Sequence, residues 1–431
     1  MSRKLLVKLL VAVTACCLIS TAFATGASAA ASPFPKTGAC DKSLAPIGVA
    51  IMTVFESPQL SLIDQVDAMK ASVTAFNKKY EGVGGHCLNL TTCDEENDQN
   101  KAEECARSLV GDSKIVATLN DTIVAGGNTK AVAEIFTNGG LPRVDSSPNT
   151  DDLASANVYA IGGGGVGTTF MMAPPLLQTK HKKLYMIGVD TPTIALLPPI
   201  MEPMLKSYGA EWVGLSKVPG GTTDFQQFIL AAEDAGADGV VLPLGENEAV
   251  QVLRAAQQLD TDLDFSASLG TFGTADVKSF GKFAKQIHFN AELPPITGDA
   301  ARWPILPVVI KDLSASGKKE LQKDQIKSSP FRSWVAVYHF KTIMENFGDP
   351  DNVTRESVTT AMNAAKDVES FGLIPLWAPN TTEPVLSFNR ISNAWYYSVG
   401  WNGKKFVVAK KQLNLVKELD GDQGYAQPSA A

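Results

Sequence analysis

Residues 47–54 read Ile-Gly-Val-Ala-Ile-Met-Thr-Val, too continuous an apolar run for a half-exposed strand and apt for one buried on both faces. Leu62, Val66, Met69, Val73 and Phe76 follow at helical spacing, and Ser61 with Asp64 offers a capping box at the helix start. The strand-then-helix unit repeats. Residues 87–92 precede a helix over 102–110, residues 114–119 precede a helix ending near Phe136, and 141–145 and 158–161 are strand-like. A series of such units predicts a parallel, doubly wound α/β sheet.

At Gly162-Gly163-Gly164-Gly165 the pattern breaks and then restarts. Residues 184–189, 212–215 and 239–242 read as strands, with helices near 199–208, 225–235 and 248–259, so a second α/β unit is expected. The two halves echo each other: Val144-Asp145-Ser146-Ser147-Pro148 and Val189-Asp190-Thr191-Pro192 both run from a strand into Asp, hydroxyl and Pro. Open α/β sheets bind ligands beyond the carboxyl ends of their strands, which makes these two turns the first places to look for a site. Asp, Ser and Pro are also ordinary turn formers.

The chain has 431 residues, a formal charge of -7 and 45% hydrophobic residues, which suits two to three globular domains and excludes wholesale disorder. No Lys/Arg stripe is present to release counterions, so nucleic acid is not an expected partner. Arg3, Lys4 and Lys8 lead an apolar run ending in Ala27-Ser28-Ala29, the form of a signal peptide over residues 1–29, and predict export. A second reading of the same segment is a lipobox, Val13-Thr14-Ala15-Cys16, which would tether the protein through a lipid on Cys16. Four cysteines then remain: Cys40, Cys87, Cys93 and Cys105. Export favours disulfides over metal binding, since no C-x-x-C pair occurs and His86 is the one imidazole nearby. Three pairings are possible. Cys93–Cys105 would join a strand end to the next helix, and Cys40–Cys87 would meet if the strands after them are neighbours, so this pairing is the expectation.

Gly162-x-Gly164-x-x-Gly167 matches a dinucleotide fingerprint formally, but Pro174-Pro175 interrupts the helix that should hold a pyrophosphate, and four glycines suit a hinge better. No G-x-S-x-G, H-E-x-x-H or P-loop motif occurs. His86, His181, His288 and His339 are scattered, and Asp151-Asp152 would point apart. An enzyme is not expected, and no cofactor or metal is.

In order along the chain stand Ile135 to Leu141 (IFTNGGL), Thr222-Thr223-Asp224-Phe225 opening a helix, Ala235-Gly236-Ala237-Asp238 before a strand, an aromatic helix over Phe331 to Phe347, and the hairpin Trp401 to Phe406 (WNGKKF). Over residues 47–408 this order resembles the solute-binding proteins of branched-chain amino acid type ABC importers, with the type I periplasmic binding protein fold. The resemblance implies two lobes joined by three crossings, near 160–167, 287–290 and 371–377. It puts residues 38–160 plus 288–373 in one lobe and 161–287 plus 374–417 in the other; the tail at 418–431, with Gly421, Gly424, Pro428 and Ser429, is expected to be disordered on its own composition. The resemblance also implies a monomer that closes on a small-molecule ligand and delivers it to an inner-membrane ABC permease.

Carried over position by position, the family's ligand contacts fall at Phe55 and Glu56, at Thr122 or Gly126, and at Ser147, Pro148 and Asn149. From the second lobe they fall at Asp190, Thr191 and Ile194, and at Gly245 and Glu246. Family members that bind amino acids have an acid in a short turn that reads Gly270-Thr271-Phe272-Gly273 here, so Phe272 stands where the ammonium partner would be. A desolvated ammonium without a partner loses several kcal/mol, of which a ring face recovers about 1–2. The expected ligand is therefore an apolar or aromatic organic acid, with Phe55, Phe272, Trp303 and Trp334 as candidate walls unless they are core residues. The alternatives are a branched-chain amino acid with Glu246 on its ammonium, or an exported α/β enzyme.

Overall fold

The computed structural model describes residues 32–423 apart from 58, 59, 146, 192, 193 and 387. The leader expected over 1–29, Cys16 included, lies outside them. Twelve strands are described. β1 (Ile47–Thr53), β2 (Leu88–Asp94), β3 (Ile115–Leu119), β4 (Arg143–Val144) and β5 (Val158–Tyr159) form one sheet, ordered β2-β1-β3-β4-β5 and parallel throughout. β6 (Lys183–Val189), β7 (Glu211–Val218), β8 (Gly239–Val241), β9 (Asp264–Ser268), β10 (Ile287–Ala291), β11 (Trp395–Trp401) and β12 (Phe406–Asn414) form the other, ordered β12-β11-β10-β9-β8-β6-β7. Its strands are parallel from β6 to β10, while β11 and β12 add an antiparallel hairpin closed at Trp401 to Phe406. Two α/β lobes result, and the chain crosses between them three times.

The continuous apolar runs are central strands: every residue of β1 and of β3 is buried. β2, with its Asn and Thr residues, is an edge strand and only its first residue is buried. Helix Ile63–Lys79 packs on the 20-residue helix Ser328–Phe347, of which thirteen residues are buried, so the late aromatic segment is interior to the first lobe.

Four expectations change. β10 pairs with β9 and β11, so residues 288–291 belong to the second sheet, and the second crossing begins at Glu292 instead of within 287–290. Ser61 and Asp64 form no capping box: Leu62 is the N-cap, and Ser61 donates to the Phe55 carbonyl. The helix after the glycine run, Gly164–Phe170, does end before Pro174 and Pro175, but the prolines also open a second helix, Ala173–Gln178, where a missing N–H costs nothing. The segment after Lys417 does not fray at once, because Leu415–Leu419 is helical with Glu418 buried; residues 424–431 lie outside the description.

Both expected disulfides are present, with Cα separations of 5.1 Å for Cys40–Cys87 and 5.8 Å for Cys93–Cys105. β1 and β2 are neighbours, which brings the segments ahead of them together. Cys93–Cys105 closes a loop of sequence separation 12 and should contribute about 2–3 kcal/mol through the unfolded chain. Urea unfolding of a Cys93→Ser/Cys105→Ser variant should show that loss; a change below about 0.5 kcal/mol would contradict it.

Candidate functional site

The carboxyl ends of strands from both sheets converge on one cleft. β4 runs out into Ser147, and the N-terminus of helix Ser328–Phe347 brings Ser328, Ser329 and Arg332 from the same lobe. β9 runs out into Ser268, Gly270 and Thr271, β10 into Asn290 and Glu292, and the glycine run contributes Gly164 and Gly165. The cavity is about 370 Å³ and partly open, with Met172, Leu244 and Leu293 among its apolar lining. That volume suits a small organic molecule.

A buried ion pair lines this cleft. Arg332 Nη2 donates to Glu292 Oε2, and the two residues are 8% and 7% exposed. Glu292 Oε1 accepts from the Tyr396 hydroxyl (3.2 Å), which itself accepts from the Gly163 backbone N–H (3.0 Å). The glycines make this packing possible: a Cβ on Gly162 would lie 2.0 Å from Glu292 Oε1, and one on Gly164 2.0 Å from the Pro148 carbonyl oxygen. The run is thus a cradle of close approaches at the first crossing. Burial draws the Arg332 pKa down from its ordinary value, while the carboxylate of Asp145 opposes that shift. A second ion pair, Glu246–Lys327, joins helix Glu246–Leu259 of one lobe to the residue preceding the long helix of the other.

A family model described as periplasmic binding protein matches residues 46–396. The chain belongs to the periplasmic binding protein family. A search of curated proteins gives no match. Among solved structures, a fatty acid ABC transporter substrate-binding protein from Thermomonospora curvata is similar, with a TM-score of 0.69 at 15% identity over 89% of this chain and 96% of that one. A solute binding protein from Rhodopseudomonas palustris HaA2, in complex with p-hydroxybenzoic acid, gives 0.66 at 14% identity over 87% and 98%. A branched-chain amino acid transporter substrate binding protein from Streptococcus pneumoniae, in complex with isoleucine, gives 0.64 at 15% over 86% and 100%. Identities this low speak for the fold.

Of the ligand contacts carried over from the sequence, Ser147 alone lines this cavity of the periplasmic binding protein. Pro148 is buried under Gly164, and Asn149 is spent on its own turn, its side chain accepting from the N–H groups of Asp151 and Asp152. The Thr122 hydroxyl exchanges hydrogen bonds with Gln65, which also accepts from Ser329 (2.6 Å). Phe55 donates its N–H to Asp94, and Glu56 is exposed. Asp190 is exposed beside Lys217, Thr191 hydrogen-bonds back to Val189 through its N–H, and Ile194 packs on Gly188. Gly245 caps the helix whose Glu246 is held by Lys327. Phe272 is 2% exposed and packs on Phe289 with ring centroids 5.4 Å apart: the turn reaches the cleft through Gly270 and Thr271, while the next side chain goes into the core. Trp303 and Trp334 are core as well, their indole N–H groups donating to the Gly372 carbonyl and to Asp312.

Gly126 lies in an exposed turn that Glu95 fastens, its carboxylate accepting from the N–H groups of Val124 (2.7 Å) and Ala125 (3.2 Å). Burial pushes the Glu95 pKa up to about 7 against those two hydrogen bonds. The folded state then holds a proton that the unfolded chain releases near 4.5. This contribution to stability is complete below that value and is lost as pH rises toward 7, in total roughly 2–3 kcal/mol. Urea midpoints measured from pH 4.5 to 8 should therefore fall more steeply with pH for the natural chain than for Glu95→Gln; parallel curves would contradict the assignment.

One constellation resembles catalytic chemistry. His339 Nδ1 meets Asp145 Oδ2 at 2.6 Å and His339 Nε2 meets Ser370 Oγ at 2.6 Å, the connectivity of an orienting acid, a base and a nucleophile. All three are buried, with Ser370 2% exposed and the Trp377 ring 4.9 Å from the imidazole, so no substrate carbonyl reaches Oγ in this arrangement. The set ties the exit of β4 and the long helix to the third crossing. Among the described residues, no group of three or more His, Cys, Asp or Glu is placed to hold a metal ion.

Proposed function

We propose that this chain is a non-enzymatic, extracytoplasmic solute-binding protein that closes its lobes on a small organic acid with an apolar or aromatic body and delivers it to an ABC permease. The carrying observation is the cavity of about 370 Å³ lined from both lobes, together with the Glu246–Lys327 pair that joins them. That pair is the kind of contact that holds a hinged binding protein closed. The similar structures with p-hydroxybenzoic acid and isoleucine bound support a small carboxylate as the class of ligand. The lobes are residues 38–160 with 292–373, and 161–291 with 374–417, acting as a monomer without a cofactor. The leader read at residues 1–29 supports export, with Cys16 as the point of attachment if the protein is anchored.

Disrupting the gene in its host and following uptake of the bound acid at low concentration tests delivery. Uptake should fall to background, and unchanged uptake would contradict the transport role.

A further inference from the structure

We infer that Lys327 is the counter-ion that lets the lobes close: it neutralises Glu246, which arrives from the second lobe, and Asp64 on its own lobe, two carboxylates that closure presses together. This rests on the solute-binding reading and adds what holds that site shut. Lys327 Nζ donates to Glu246 Oε1 across the cleft. Both residues flank the cavity lining, Lys327 immediately before Ser328 and Glu246 two residues after Leu244. Each also stands at a helix start: Lys327 is the N-cap of Ser328–Phe347, and Glu246 is the first residue of Glu246–Leu259. Asp64 lies in the first turn of Ile63–Lys79, half-buried, its Oδ1 accepting from the Gln65 N–H (2.8 Å).

One ammonium thus serves an acid from each lobe. Burial raises the Asp64 pKa; the charge of Lys327 is the largest influence opposing that rise, and the charge of Glu246 adds to it. Burial pulls the Lys327 pKa down, yet its bond to Glu246 and the charges of Glu246, Asp64 and Asp276 turn the net shift upward, so the ammonium keeps its charge. Asp64 and Lys327 share a lobe, and their attraction is present whether the cleft is open or shut. Glu246 comes only with closure, gaining the ammonium and meeting the like charge of Asp64. Without the ammonium, closure at this rim would bring repulsion alone. A plain two-residue bridge would be indifferent to Asp64, and that difference separates the two accounts. Leu269, Phe272 and Ile326 line a small cavity together with Lys327, so methionine can replace the apolar stem and remove only the charge.

Small-angle scattering from the ligand-free protein at low salt tests this. Fitted as a mixture of the structure with its lobes in contact and a form with them swung apart about the crossings, the curve reads the ratio of closed to open molecules. The natural chain should be mostly closed, and Lys327→Met should lower the ratio by on the order of 10-fold. Adding either Asp64→Asn or Glu246→Gln to Lys327→Met should raise it again by about 3-fold, because each removes one of the two repelling carboxylates; asparagine at 64 still accepts from the Gln65 N–H. If Lys327→Met fails to fold, Lys327→Gln takes its place in the same comparisons. A natural chain that is open when free, a Lys327→Met variant as closed as the natural chain, or an added Asp64→Asn that changes nothing would overturn the inference. Those results leave the solute-binding reading standing, since capture of an acid is measured separately. The expected ratios from a protein whose cleft takes up no acid would overturn that reading and not this one.

Discussion

Arg143→Met is expected to destabilise the folded protein by about 3–5 kcal/mol at neutral pH, because it strands two buried carboxylates. Arg143 is fully buried in β4, donates through Nε to Asp121 Oδ2 (2.7 Å) and through Nη1 and Nη2 to both oxygens of Asp152, and lies over the Phe136 ring. Asp121 keeps one further donor, the Thr118 hydroxyl, and its Oδ1 has no partner. Desolvation already raises the Asp121 pKa, and Arg143 is the largest influence opposing that rise. With the guanidinium gone, the Asp121 carboxyl would take up a proton in the folded state at higher pH than in the unfolded chain. The penalty must therefore be largest near pH 7 and shrink as pH falls below the folded-state pKa values. Urea unfolding at pH 7 and pH 4 measures it; a loss under about 1 kcal/mol, or one equal at both pH values, would contradict the account. Ligand affinity should fall too, since Asp152 accepts from the Asn149 N–H in the turn that presents Ser147.

Gly164→Ala is expected to weaken ligand binding by on the order of 100-fold. Gly164 has φ +56° and its backbone meets the Pro148 carbonyl of the other lobe so closely that a Cβ would sit 2.0 Å from the oxygen. The left-handed conformation costs alanine about 1 kcal/mol and the crowding about 1–3 more. Pro148 and Gly164 lie on opposite sides of the first crossing, so that cost falls on the closed form, which is the form that holds ligand. Calorimetry with the best acid, alongside thermal melts of the free protein, separates closure from folding. A lowered melting temperature with unchanged affinity would place the cost on folding and contradict the hinge assignment.

The fold was legible because its signals are local. The uninterrupted run at 47–54 could only be a strand covered on both faces, and it is an interior strand between β2 and β3; the helical spacing from Leu62 to Phe76 produced helix Ile63–Lys79. The second crossing, carried over by resemblance to 287–290, falls on β10, which lies between β9 and β11. The site was less legible because it is assembled from residues as far apart as Ser147 and Arg332. Turn matching located Gly270 and Thr271 but assigned the contact to Phe272, since sequence position cannot say which way a turn points its side chains. Arg332 was hidden inside an aromatic helix that reads as core. The available signal was charge out of place: Glu292 follows Phe289-Asn290-Ala291, and Arg332 sits between Phe331 and Trp334, surroundings in which an unpaired charge is unstable. Arg143, the residue with the largest expected effect on stability, carried no sequence signal beyond being a charge at a strand start.

A crystal structure of the protein with its bound acid is the most direct test of the central claim. The account predicts the ligand between the lobes, touching Ser147 from the first and Ser268, Gly270 or Thr271 from the second. Density in the cavity at the amino ends of β1 and β3 around His86 and Lys114, or a ligand that touches one lobe alone, would contradict it.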